Sequence, residues 1–290
     1  MRACPFLFVQ MEGYFMDQSE KANLFHRLHK GPKLLMIANA WDVVSARLYE
    51  DEGFAAIGTT SAGIAAVRGY PDQQRISAAE MIEAIEPMAA ALNIPLSADM
   101  EAGYSDSPTE VGQCVTQIIA AGAVGINLED GTGEDNNPLI ATDLHCAKIR
   151  TAREAAERCG IDLFINARVD VLLVPERTHD ISGVVERAEA YIDAGANGIF
   201  VPDMGTLKPA AMADMASRIK APLNLIAGPA TPPVSELETL GIARLSFGPR
   251  PMRVALQSLR DMAREWKSTG TYSKMLGPSL SYDEVNKLLL

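Results

Sequence analysis

The sequence lacks the motifs of most common hydrolases, nucleotide-binding proteins and zinc proteins. Its four cysteines, Cys4, Cys114, Cys146 and Cys159, form no C-x-x-C pair and no cysteine–histidine cluster of zinc-site spacing. No P-loop, H-E-x-x-H or G-x-S-x-G pattern is found. The four histidines fall in helical or loop-like stretches, so we expect no hydrolytic serine triad. These absences favour reduced thiols in a cytoplasmic protein.

Positive charge is also scarce, because the formal net charge is −11 and the pI is about 4.9. That balance argues against nonspecific binding to nucleic acid and against an anionic membrane surface. No apolar run is long enough to span a membrane, and CPFLFV near the start is too short for a secretory signal. We expect a small-molecule partner, and we predict that residues 1–17 are a loosely ordered extension.

Short apolar runs alternate with amphipathic stretches from residue 34 onward. Strands are predicted at 34–40, 55–61, 95–100, 124–130, 163–170, 197–203, 222–227 and 243–249. Their lack of polar alternation is typical of parallel strands buried on both faces. Eight strand–helix units predict one (β/α)8 TIM barrel over residues 18–270, followed by a helical tail over 271–290. A doubly wound sheet is the alternative, but no G-x-G-x-x-G follows the first strand.

Acidic side chains cluster where the third and fourth strands end. Asp99 and Glu101 follow the third strand, and Glu129 and Asp130 follow the fourth. In a TIM barrel these ends carry the chemistry. Residues two apart on a strand point to the same side, so Asp99 and Glu101 are predicted to meet Glu129. Such oxygen ligands suit Mg²⁺ or Mn²⁺; alternatively, the acids pair with arginines or cap helices.

Two further strand ends carry groups suited to a carboxylate ligand. Arg168 ends the fifth strand and has the geometry for bidentate binding of a carboxylate. Its alternative role is an ion pair with Asp170 or Glu129. The small-residue segment of Ser61, Ala62 and Gly63 offers backbone N–H groups to an anion, unless it is a plain turn.

Several motifs together resemble the isocitrate lyase/phosphoenolpyruvate mutase superfamily over residues 22–265. They are NAWDVVSARLYEDEGF, GTTSAGIAAVRGYPD, IPLSADMEAGYS, AVGINLEDG, LHCAKIRTAREA and FINARVD. The resemblance implies a TIM barrel enzyme that acts on a small carboxylate through an enolate-like intermediate. It also implies a homo-oligomer, a dimer or homotetramer, in which subunits exchange the eighth helix.

The resemblance also implies roles for individual residues. Asp99, Glu101 and Glu129 would hold Mg²⁺, largely through water, and Glu129 and Asp99 would also contribute to catalysis and substrate binding, respectively. Arg168 and the backbone amides of residues 61–63 would bind substrate carboxylates. Asp72, in the segment RGYPD, would handle protons.

The segment after the fourth strand departs from the superfamily pattern. The K-K-C-G-H loop of the carbon–carbon lyases is missing, and Cys146 belongs to the next helix. The mutases and phosphonopyruvate hydrolases have a lysine where this chain has Gly131. The loop 131–141, rich in Gly, Asn and Asp, is predicted to be a lid. Three hypotheses remain: a Mg²⁺-dependent carbon–carbon lyase, a phosphonate enzyme, and a barrel that binds a carboxylate without turnover.

Overall fold

The computed structural model describes residues 16–203, 205 and 207–290, and it forms a closed barrel of parallel strands. The strands are β1 Leu35–Ala40, β2 Ile57–Thr59, β3 Leu96–Asp99, β4 Gly125–Glu129, β5 Phe164–Arg168, β6 Gly198–Val201, β7 Leu223–Ile226 and β8 Arg244–Ser246. Each strand pairs with the next in sequence, and β8 closes the barrel against β1 with Arg244 opposite Leu35. The TIM barrel prediction is confirmed, and the doubly wound alternative is wrong.

Among the described residues, one helix precedes the first strand, and the others follow the strands around the outside of the barrel. They are α1 Gln18–His29, α2 Val43–Asp51, α3 Ser61–Val67, α4 Ala78–Ala91, α5 Pro108–Ala120, α6 Thr142–Cys159, α7 Ile181–Asp193, α8 Pro209–Arg218, α9 Val234–Thr239, α10 Arg250–Thr269 and α11 Tyr282–Lys287. The sequence analysis did not anticipate α1 and α3. Asp17 and Glu20 form a capping box at the start of α1. Of the predicted extension 1–17, residues 1–15 lie outside the described residues.

The inside of the barrel is partly polar. The Nδ2 amide of Asn166 donates to Asn127 Oδ1 at 2.9 Å and to Asn224 Oδ1 at 3.1 Å, so amides from three strands bond across the interior. The apolar core lies instead between strands and helices, where Ile118 and Ile149 are fully buried. The barrel is therefore held by apolar packing on its outside and by amide hydrogen bonds across its inside.

Helix α10 does not cover the barrel as the other long helices do. Met252 is its one buried residue. Val254, Leu256 and Leu259 are 61%, 51% and 56% exposed, and Trp266 is 46% exposed. A helix with so much apolar surface in contact with water suits an interface. The predicted exchange of this helix between subunits stays a prediction.

The C-terminal tail ends on its own chain. Ser281 caps α11 with a capping box. The guanidinium of Arg47 on α2 then donates to the carbonyl oxygen of Leu288 at 2.7 Å. None of the helices in the described part of the chain combines the length and hydropathy of a membrane span.

Candidate active site

A cavity of about 570 Å³ opens at the carboxyl ends of the strands. It brings together six side chains from the segments that follow β2 to β5: Ser61, Asp72, Glu101, Glu129, Arg168 and Asp170. Three predicted site residues, Asp99, Ala62 and Gly63, are not in its lining. The cavity is large enough for a small organic acid with its water.

Asp99 lies behind Ser61 and is fixed by it. Asp99 Oδ2 accepts hydrogen bonds from the Ser61 N–H at 3.0 Å and from the Ser61 hydroxyl at 2.7 Å. The segment 61–63 is the first turn of α3, because Thr60 caps the helix through the Gly63 N–H at 3.3 Å. The N–H groups of Ser61 and Gly63, predicted to hold a substrate carboxylate, therefore already have partners within the chain.

Glu101 lies beyond the end of its strand. Because β3 ends at Asp99 and Glu101 adopts a left-handed φ of 49°, the strand alternation used to place it does not apply, and that argument was wrong. Glu101 Oε2 accepts from the Gln74 N–H at 2.6 Å, and Oε1 accepts from the Tyr104 hydroxyl at 3.4 Å. Burial, and then the charge of Asp99, raise the pKa of Glu101 to about 7.

Backbone strain is concentrated beside Glu101. The non-glycine residues of positive φ in the described ranges are Gln73, Gln74, Glu101 and Tyr104. The Tyr104 N–H donates to Gln74 Oε1 at 2.8 Å, so the segments 73–74 and 101–104 brace each other. Each such conformation costs on the order of 1–3 kcal/mol and is common at functional sites. This bracing holds the carboxyl group of Glu101 at the cavity wall.

Arg168 lies between two carboxylates. Its Nη1 is 2.5 Å from Glu129 Oε2, while Nε and Nη2 are 2.6 and 2.8 Å from the two oxygens of Asp170. Both ion pairs considered as alternatives to substrate binding are thus present. A guanidinium has five N–H groups, so one remains on each terminal nitrogen for a substrate carboxylate.

The charges of Arg168, Glu129 and Asp170 shift one another's pKa values. Burial raises the pKa of Glu129 well above its usual range, although Arg168 opposes the shift. Burial also raises the pKa of Asp170, again against the effect of Arg168. Burial alone would lower the pKa of Arg168, but Asp170 and Glu129 raise it. The guanidinium therefore stays charged and is shared between two buried acids.

Asp130, which the sequence places next to Glu129, points away from the cavity. Its fully buried carboxylate accepts from Arg187 Nη1 at 2.8 Å, the Tyr191 hydroxyl at 2.7 Å and the Asp170 N–H at 2.8 Å. It therefore positions Asp170, which holds Arg168. Arg187 and Tyr191 were missed because they come 57 and 61 residues later, with no local signal beyond their i, i+4 spacing on α7.

The predicted lid forms a small hairpin over the cavity. Gly131 pairs with Leu139 in an antiparallel bridge, and the Thr132 N–H donates to the Pro138 carbonyl at 3.1 Å. A Cβ atom at Gly131 would lie 2.4 Å from Asp170 Oδ2. Any side chain at position 131, including the lysine of the mutases, would therefore displace the carboxylate that holds Arg168.

The acids of this site fit a hydrated magnesium ion better than one bound directly by three ligands. Among the described residues, no three acidic, histidine or cysteine side chains converge closely enough to hold a metal by themselves. Yet Glu101, Glu129 and Asp170 line one cavity, Asp99 is close enough to raise the pKa of Glu101 and Glu129, and all the donors are oxygen. Mg²⁺ keeps several waters and needs only one or two carboxylates. The donor set therefore fits Mg²⁺ held largely through water.

Comparisons with known proteins place the chain in a family. A model of the phosphoenolpyruvate phosphomutase family matches residues 25–267. An uncharacterised protein of Mycobacterium tuberculosis is 37% identical over 240 residues, which cover 83% of this chain and 87% of that protein. The 2-methylisocitrate lyase of Bacillus subtilis is 27% identical over 270 residues, covering 90% and 86%.

A solved structure shows the same fold with ligands in place. It is a phosphonopyruvate hydrolase in complex with oxalate and Mg²⁺, with 25% identity and a TM-score of 0.81, covering 94% of this chain and 95% of that chain. The chain described here therefore belongs to the phosphoenolpyruvate phosphomutase family, within the superfamily of phosphoenolpyruvate mutase and isocitrate lyase.

Proposed function

We propose that the protein is a Mg²⁺-dependent lyase that cleaves a carbon–carbon bond in a small 2-oxo or 2-hydroxy di- or tricarboxylate. The observation that carries the proposal is that Arg168, Glu101, Glu129 and Asp72 line one cavity at the carboxyl ends of the strands. The similarity to a 2-methylisocitrate lyase supports the same reaction class. Mn²⁺ is proposed as a substitute for Mg²⁺.

Arg168 would bind and orient the substrate. Glu129 and Asp170 fix its guanidinium plane from two sides, which leaves one N–H on each terminal nitrogen directed at a carboxylate. A fixed guanidinium loses little entropy on binding and aligns the bond to be broken. Substrate carboxylates are thus recognised by a side chain that is already in position.

The remaining residues would manage charge and protons. A Mg²⁺ ion near Asp99, Glu101 and Glu129 would supply electrostatic stabilisation of the negative charge that develops on an enolate-like substrate. Asp72 is exposed at the mouth of the cavity and would exchange protons with water. The lid hairpin, through Thr132 and Pro138, would exclude bulk water from the substrate.

A substrate screen tests the proposal. Purified protein is incubated with a panel of 2-oxo and 2-hydroxy acids and Mg²⁺, and released pyruvate, glyoxylate and carbon dioxide are measured. We expect turnover that a chelator abolishes and that Asp99→Ala reduces by at least about 100-fold, the loss of roughly 3 kcal/mol of transition-state stabilisation. Asp214→Ala, on the surface of α8, is the matched control. Unchanged turnover in Asp99→Ala would reject the assignment.

A phosphonate reaction is the second candidate, because the matching family is named for a phosphomutase and one related structure is a phosphonopyruvate hydrolase. The glycine at position 131, where the mutases and phosphonopyruvate hydrolases have a lysine, speaks against it. Phosphonopyruvate incubated with the protein and followed by phosphorus NMR separates the two, since only a phosphonate enzyme converts it. Calorimetric binding of keto acids without any turnover would instead favour a non-catalytic carboxylate-binding barrel.

We also propose that the protein works as a cytoplasmic homo-oligomer, a dimer or tetramer. The exposed apolar face of α10, with Leu256 and Leu259, is the surface that a second copy would cover.

A further inference from the structure

A buried polar group lies at the end of the barrel opposite the cavity. There α1 closes the barrel, and its Phe25 packs among the first residues of the strands, including Phe164. Arg244 opens β8 and places its Cζ atom 5.8 Å from the centre of the Phe25 ring. Ser97, near the start of β3, borders the same ring, because a Cβ built on Gly125 would touch both Ser97 Oγ and Phe25. We call Arg244 and Ser97 the floor pair.

Arg244 carries a charge that no nearby acid among the described residues compensates. Its side chain is 1% exposed, and it forms no ion pair with any carboxylate of the described residues. With the described residues it forms one hydrogen bond, a long one from Nη2 to Asn127 Oδ1 at 3.4 Å, while Nε and Nη1 have no partner among them. A buried charge without a counter-charge costs several kcal/mol.

The charge does not disappear by loss of a proton. Burial lowers the pKa of Arg244 to about 9, and the negative charge of Asp99, at the far end of β3, opposes that shift. At neutral pH the guanidinium is therefore still protonated.

Around the Phe25 ring, the described residues supply another donor but no anion. The Ser97 hydroxyl is buried and has no hydrogen-bond partner in the described part of the chain. His29 packs on the Phe25 ring and hydrogen-bonds through Nδ1 to the Phe25 carbonyl. Burial and then Arg244 lower the pKa of His29 to about 3, so it stays neutral and adds no second positive charge.

We infer that the floor pair binds a small monovalent inorganic anion, of the size of chloride, inside the barrel beneath α1. The anion would accept hydrogen bonds from Arg244 Nε or Nη1 and from the Ser97 hydroxyl, and it would neutralise the guanidinium. Because it lies at the amino ends of the strands, it serves stability rather than chemistry. The inference is independent of the proposed reaction.

Thermal unfolding in matched salts tests the inference. We expect the melting temperature of the wild type to rise by about 2 °C for each tenfold increase in chloride above the dissociation constant, at constant ionic strength kept with gluconate. Arg244→Met should remove this dependence, whatever its own stability. Arg158→Met, which removes an exposed arginine from α6, should keep it. A wild-type melting temperature that is equal in chloride and gluconate would overturn the inference.

Crystallography of the wild type gives a second readout that needs no variant. In crystals grown with bromide, we expect an anomalous peak within hydrogen-bonding distance of Arg244 Nε or Nη1. Ordered water at that position, with bromide only at the protein surface, would also overturn the inference, since water would then satisfy the floor pair.

Discussion

The network around Asp130 allows a sharp test of how the candidate site is held in place. Asp130→Asn keeps the shape of the side chain but removes a charge that accepts hydrogen bonds from Arg187, Tyr191 and the Asp170 N–H, at 2.7–2.8 Å. Asp130 is completely buried and the Arg187 side chain is 14% exposed, so Arg187 would lose its counter-charge away from water. Removing one member of such a pair typically costs about 3–5 kcal/mol.

A surface ion pair of the same chemistry provides the control. Asp214 and Arg218 lie one turn apart on α8 at 3.1 Å, with side chains 49% and 39% exposed. Because solvent screens such pairs, Asp214→Asn should cost no more than about 0.5 kcal/mol. Urea unfolding of the two variants measures the difference directly, with equal m-values showing that the same transition is compared.

The difference between the two stability losses shows whether Arg187 is left with an uncompensated buried charge in Asp130→Asn. A loss for Asp130→Asn within about 1 kcal/mol of that for Asp214→Asn would refute the reasoning, because it would mean that water or a rearrangement relieves the buried charge. Adding Arg187→Met to Asp130→Asn should restore part of the stability, since it removes the unpaired charge. Binding of oxalate, measured by calorimetry, should weaken in Asp130→Asn as Asp170 and Arg168 lose their support.

Three further predictions concern acid stability, the lid and assembly. Burial lowers the pKa of His145 to about 3, so the unfolded state binds a proton at this residue before the folded state does as pH falls below 6.5. Between pH 7 and 5 this lowers the free energy of unfolding by about 2 kcal/mol. In urea unfolding, His145→Gln should lose correspondingly less stability over this pH range, and a loss equal to that of the wild type would contradict the prediction. Gly131→Ala should lower stability by about 1–3 kcal/mol in the same assay, because its Cβ collides with Asp170, and a neutral result would show that the lid yields. Leu259→Asp should shift the protein to a smaller species in light scattering, and a monomeric wild type would contradict the proposed oligomer.

The sequence was sufficient to predict the barrel but not its smaller elements. Eight apolar runs marked the strands, because strands buried on both faces need nearly continuous apolar residues. Helix α1 was missed because it buries only Ala22, Phe25 and His29 along twelve residues, which leaves a weak periodic signal. Its capping box of Asp17 and Glu20 was a local sign that could have been used. Helix α3 is short and rich in small residues, so it resembled a turn.

For the site, the sequence predicted which strand ends carry polar groups but not how those groups pair. Arg168 and Glu129 face each other in register, as neighbouring strand ends must. Glu101 was misplaced because it leaves the strand in a left-handed turn, where its carboxylate bonds to the Gln74 N–H, 27 residues away in the chain. Contacts between residues far apart in the chain, such as that of Asp130 with Tyr191, leave no spacing pattern to read.

The cavity occupies one side of the barrel mouth, and this has a consequence for how the protein can vary. All residues that line it fall between Ser61 and Glu176, so the last three strands and α10 are not part of its wall. Surfaces on that half can be recruited for contacts between copies, or redesigned, without touching the groups that hold the substrate. The proposed chemistry and the proposed assembly would in this way use separate sectors of one ring.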